Sequence, residues 1–193
     1  MNAARKIDAL VIGGSAGAID ALLTVLPGLP PRFAFPVVVV VHLPHERESR
    51  LAEVFQQHLP MPVRQADDKA VLETGTVYFA PSGYHLSIEA DRSFSLSQEE
   101  PVHYSRPAID ILMASAADVY GERLCGVLLT GASHDGAAGL AAIGAAGGLT
   151  VVQAPQEAAI PTMPAAAIRL RAPDLILPLS ELRAMLAGLE AAP

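Results

Sequence analysis

Runs of apolar residues alternate along the chain with stretches in which apolar positions return every three or four residues. The first pattern reads as strand and the second as amphipathic helix. Residues 9–12, ALVI, form the first run, and Ile19, Leu22, Leu23 and Leu26 follow at helical spacing. VVVVV at 37–41 is apolar on both faces, as a central parallel strand covered by helices would be. Leu51, Val54, Phe55 and Leu59 mark a second helix, and PVRQA at 62–66 reads as a short third strand.

The middle departs from this rhythm. GTVYFAP, YHLSIEA and SFSLSQE read as short strands around tight turns, with a hairpin at Ala90-Asp91-Arg92. This region is expected to form a small antiparallel appendage at one edge. Helical spacing resumes in SRPAIDILMASAADVY through Ile109, Leu112, Met113 and Ala116, with Ser105 as cap and Pro107 in the first turn. The last third returns to alternation: CGVLLTG, an Ala-rich helix ending at Gly147-Gly148, LTVVQ, a short helix, DLILPL and a closing helix through Leu182, Met185, Leu186 and Leu189. Repeated strand–helix units predict an α/β fold. It is a doubly wound, mostly parallel sheet with helices on both faces and a small antiparallel hairpin appendage.

At 193 residues and 51% hydrophobic, the chain can bury a full core, so residues 1–193 are expected to form one domain. The net charge of -7 comes without any cluster of Lys and Arg, which argues against nucleic acid and anionic membranes as partners. With one cysteine, Cys125, an internal disulfide cannot form. The N-terminus lacks a long apolar segment and FPVVVVVH is too short to span a bilayer, so a cytoplasmic protein without membrane insertion is expected.

In such a sheet, chemistry gathers at the carboxyl ends of the strands. The first strand runs into Gly13-Gly14-Ser15, the second ends at His42, and CGVLLTG leads into ASHDG with Asp135. A serine hydroxyl needs an imidazole to take its proton, and the imidazole needs a carboxylate to fix its tautomer. Residues 13–17 fit G-x-S-x-G, which sets a serine on a sharp strand-to-helix turn. The backbone N–H groups of Ala16 and Ala132 are candidate oxyanion donors.

Other readings of these residues stay open. The glycines could cradle a phosphate, but the spacing is not G-x-G-x-x-G and His42 stands where a ribose-binding acid would be. Each residue could also be plain: a tight turn, a capping histidine, an N-cap aspartate. His42 and His45 in HLPH have no Cys or acidic motif beside them, so no metal is expected, and no cofactor. His134 is a competing base, placed one residue from Asp135 on the turn. Met163, in the Pro- and Ala-rich segment 154–164, and Arg106 are candidate substrate contacts. For Met163 core packing is the rival reading, and for Arg106 a structural salt bridge.

VIGGSAGAIDAL, VVVVVHLP, ETGTVYFAPSGYHL, SRPAIDILMASAA, GVLLTGASHDGAAGLAAIGAAGG and QAPQEAAIPTMPAAAI occur in an order and spacing that resemble the catalytic domain of bacterial chemotaxis receptor methylesterases, the CheB family. The resemblance implies a serine hydrolase that demethylates glutamate γ-methyl esters on receptor signalling helices, releases methanol and in some members deamidates glutamines. It places the nucleophile at Ser15, the base at His42, the orienting carboxylate at Asp135 and the backbone donors near Ala16 and Ala132. The order Ser, His, Asp is the family's, whereas α/β-hydrolases place the acid before the histidine.

The chain departs from the family pattern in three ways. Ala16 stands where Thr often follows the serine, and GAS at 131–133 stands where GMG is common. The first strand starts by residue 9, so a stand-alone form without a receiver domain is expected, its control resting on a separate regulatory or methyltransferase partner. Rival functions are an inactive scaffold of a signalling array, a nucleotide-binding domain, and an esterase for another methyl ester.

Overall fold

The computed structural model describes residues 6–43 and 49–191; His45 lies outside them. The chain forms β1 (Lys6–Ile7), β2 (Ala9–Gly14), α1 (Ala18–Val25), β3 (Val37–Val41), α2 (Leu51–Gln56), β4 (Val63–Gln65), β5 (Val77–Phe79), β6 (His85–Ile88) and β7 (Phe94–Ser97). It continues through α3 (Ile109–Tyr120), β8 (Leu124–Leu128), α4 (Ala137–Ala145), β9 (Leu149–Gln153), α5 (Thr162–Leu170), β10 (Leu175–Leu177), α6 (Leu179–Ala187) and β11 (Glu190–Ala191).

Seven strands form a parallel sheet in the order β10-β9-β8-β2-β3-β5-β4. Side chains alternate across each strand, which explains why the central runs are apolar throughout. Val37, Val39 and Val41 enter a core shared with α1, α2 and α6, while Val38 and Val40 enter one shared with α3, α4 and α5. All five valines are buried, and burying each stabilises the fold by about 1.5–3 kcal/mol. A strand with a solvent face could not keep that composition. No helix among the described residues is long and apolar enough to cross a membrane.

Three expectations need correction. The run GTVYFAP supplies β5, which lies inside the parallel sheet between β3 and β4 rather than in an antiparallel unit. Residues 66–76 connect β4 to β5 without a helix, so the pattern that marks a parallel crossover is missing from the sequence. The antiparallel appendage is β6–β7 alone, turning at residues 89–93. It lies over α3 rather than at the sheet edge, with the Ile88 N–H donating to Ser115 Oγ at 3.1 Å.

The helix read from Ser105 starts at Ile109 instead, with Ala108 in extended backbone before it. Its cap comes from a distant residue, Asp135, described below.

At two strand ends the chain turns at once into a helix. Gly17 before α1 has φ 81° and Gly136 before α4 has φ 91°, the left-handed region that glycine enters without cost. These turns place β2 and β8, adjacent strands, with their carboxyl ends and two helix starts at one rim of the sheet.

Candidate active site

β2 lies between β8 and β3, so the residues that follow these three strands meet. Gly14 pairs with Val41, so Ser15 and His42 follow directly on neighbouring positions of adjacent strands at the rim. The backbone is tied on both sides: the Ser15 N–H donates to the Thr130 carbonyl at 2.9 Å, and the His42 N–H to the Gly14 carbonyl at 3.2 Å. The Ser15 carbonyl accepts from the Ala18 N–H at 2.9 Å, closing the turn that presents the half-buried serine.

Asp135 is fully buried, and the His42 ring reaches it with Nε2 to Oδ2 at 2.7 Å. An ionised carboxylate only accepts, so Nε2 carries the proton and Nδ1 is left as an acceptor. The same carboxylate takes the N–H groups of Ile109 at 2.7 Å and Asp110 at 2.9 Å, capping α3 across the fold. Asp110 returns the arrangement, accepting from the N–H groups of Gly136 at 2.9 Å and Gly139 at 2.7 Å at the start of α4. Asp135, just before α4, thus caps α3, and Asp110, in the first turn of α3, caps α4, where helix dipoles favour negative charge.

The two acids diverge as a result. Burial pushes Asp135 upward, but the His42 hydrogen bond and the N–H groups of Asp110 and Ile109 outweigh it and hold the group below the ordinary carboxylate range. Asp110 is raised, chiefly by burial, with the charge of Asp135 adding to it against the N–H of Gly139 and the pull of His103. His103 Nε2 lies 3.3 Å from Asp110 Oδ2.

Among the described residues, the Ala16 and Ala132 N–H groups donate to no protein acceptor, and both residues are exposed beside the serine turn. His134 is also exposed, and Asp135 bonds His42 rather than its sequence neighbour. Arg106 turns onto its own segment, with Nη1 donating to the carbonyls of Gln98 and Glu99 at 3.0 Å each. Met163 is buried beneath the rim. Segment 154–164 flanks the turn: Gly131 donates to the Ile160 carbonyl at 3.1 Å, and Met163 donates to the Gly131 carbonyl at 3.0 Å.

A Cβ added at Gly131 would stand 2.6 Å from Met163 Cε and 3.0 Å from Ser15 Cβ. Gly131→Ala must therefore push the serine or the methionine. Labelling of Ser15 by a serine-directed probe should slow about tenfold, and stability should fall by about 1–3 kcal/mol in urea melts. An unchanged labelling rate would show that Met163 absorbs the whole displacement.

Asp110 and His85 were not among the residues singled out from sequence. His85 is buried, its Nδ1 accepting from the Ala108 N–H at 3.2 Å and its Nε2 lying 3.1 Å from the Glu100 carbonyl, so it brackets the segment before α3. A histidine within a strand pattern, and an aspartate in a helix first turn, carry no sequence mark of these contacts. No group of three or more metal-ligating side chains occurs among the described residues.

A family model described as CheB methylesterase matches residues 10–186. A Leptospira interrogans protein, provisionally named protein-glutamate methylesterase/protein-glutamine glutaminase, is 43% identical over 175 residues, which cover 91% of each chain. The protein-glutamate methylesterase/protein-glutamine glutaminase 2 of Anaeromyxobacter dehalogenans is 42% identical over 93% of this chain, which spans 52% of that protein. The crystal structure of the Thermotoga maritima CheB methylesterase catalytic domain superposes with a TM-score of 0.89 at 29% identity, covering 94% of this chain and 98% of that one.

Proposed function

The chain belongs to the CheB methylesterase family, and on that premise we propose that it hydrolyses glutamate γ-methyl esters with Ser15 as nucleophile, His42 as base and Asp135 as orienting carboxylate. The observation that carries this reading is the 2.7 Å bond from His42 to a buried, ionised Asp135 at the strand end next to Ser15. With Nε2–H committed to the carboxylate, Nδ1 is the nitrogen that receives the serine proton.

The reaction has two halves. Ser15 Oγ attacks the ester carbonyl as its proton passes to His42 Nδ1, and the N–H groups of Ala16 and Ala132 receive the charge on the carbonyl oxygen. His42 then gives the proton to the departing methoxide, which leaves as methanol. A water, deprotonated by His42, attacks the acyl-serine; the glutamate carboxyl is released and Ser15 regains its proton. Asp135 stays ionised, since its depressed titration makes it a poor proton acceptor.

The substrates on this reading are methyl-esterified glutamates of chemotaxis-type receptors. Receptor glutamines are a second substrate, matching the glutaminase in the relatives' names. Residues 1–193 act as one catalytic unit. Arg106 holds its segment in place through the carbonyls of Gln98 and Glu99, and Met163 backs Gly131.

The test is labelling with a fluorophosphonate, mapped by peptide mass. Ser15 should carry the label, and His42→Ala should slow labelling by about 10²-fold or more. A label on any other residue, or none in protein that releases methanol, refutes the assignment.

A further inference from the structure

Below the resting imidazole lies a second serine. Ser105 Oγ is 3.3 Å from His42 Nδ1, the nitrogen left free by Asp135. Among the described residues the Ser15 hydroxyl bonds no protein group, so the base faces Ser105 at rest rather than its nucleophile. We infer that Ser105 is a positioning residue: its hydroxyl donates to Nδ1 and holds the ring until Ser15 takes its place. This inference rests on the reading of His42 as base.

The contact is built rather than incidental. Val102 and Ser105 exchange both backbone hydrogen bonds, at 3.1 and 2.9 Å, around His103 and Tyr104. Those two residues have φ 49° and 63°, left-handed positions that such two-residue turns normally give to Asn and Gly. A costly conformation persists only where its surroundings impose it. Here His103 is held by Asp110 at 3.3 Å, Arg106 ties the segment to Gln98 and Glu99, and His85 brackets it from Glu100 to Ala108. What these anchors deliver to the site is the Ser105 hydroxyl.

A donor is the chemistry Nδ1 calls for. The Nε2–H tautomer presents a bare lone pair there, and the imidazole side chain is only 12% exposed, so little water reaches it. With Ser105 in place the ring stays in the plane that serves Asp135. When an ester carbonyl docks and Ser15 Oγ approaches, one hydroxyl replaces the other at the same lone pair. No covalent bond changes in this exchange.

The test is the ¹⁵N resonance of His42 Nδ1 in the ligand-free protein, compared among wild type, Ser105→Ala and Ser105→Thr at a pH where the ring is neutral. Loss of the donor in Ser105→Ala should move Nδ1 downfield toward an unbonded ring nitrogen, and Ser105→Thr should return it to the wild-type position. Turnover, kcat/KM, should fall about threefold to tenfold in the alanine variant and recover in the threonine variant. A wild-type Nδ1 resonance in Ser105→Ala, with an otherwise unchanged amide spectrum, overturns the inference. That outcome is separable from failure of the proposed mechanism, which is read instead from whether Ser15 takes the fluorophosphonate.

Discussion

Asp135→Ala is expected to lose both turnover and about 3–5 kcal/mol of folding stability, read in urea melts. The carboxylate is fully buried and accepts three hydrogen bonds: from the His42 ring and from the Ile109 and Asp110 backbone. Alanine leaves the α3 donors without their acceptor. Asp135→Asn separates the two roles. With its oxygen at the Oδ1 position the amide still accepts from the Asp110 N–H, so less stability is lost, but its NH2 group then faces His42 and cannot accept the Nε2 proton, and turnover should fall by about 10⁴.

The pH dependence follows from opposite shifts. Asp135 titrates lower when folded than unfolded, so its stabilisation is present above the unfolded value and disappears as pH falls through the folded one. Asp110 titrates higher when folded, so its contribution is greatest below the unfolded value and is lost as pH rises through the folded one. The stability gap between wild type and Asp135→Asn should therefore close on acidification. An alanine variant as stable as wild type would mean that the α3 donors find another acceptor.

Ser15→Ala should lower methanol release by about 10⁴–10⁶-fold while leaving stability within about 0.5 kcal/mol. The hydroxyl bonds no other described residue, and the contacts that shape its turn run through backbone atoms that alanine keeps. Ser105→Ala supplies the contrast, because it removes the other hydroxyl near His42. Turnover that survives loss of Ser15 and dies with Ser105 would transfer the nucleophile's role to the second serine.

The layered sheet was legible in the sequence because each central strand is apolar on both faces, a pattern that only a doubly covered parallel strand sustains. The ends of β2, β3 and β8 could be read for the same reason, each apolar run stopping at a polar residue: Ser15, His42 and the turn holding Asp135. β5 was misplaced because it is three residues long and no helix precedes it. Asp110 and Ser105 were out of reach for a different reason. The Asp110 carboxylate finds its partners 26 and 29 residues away and Ser105 finds its own 63 away, and a first-turn aspartate or a loop serine looks the same whether it caps its own helix or serves another.

The exchange of caps between α3 and α4 separates what can vary in this molecule from what cannot. The acid is cemented into the interior by two helix starts, each of which must shift if the other does. Residues 154–161, which flank the turn after Ser15, carry no part of that joint, whereas residues 102–106 are tied to it through His103 and Asp110. Substitutions along 154–161 should therefore leave the buried foundation of the fold intact, whereas a change at either cap must disturb both helix starts.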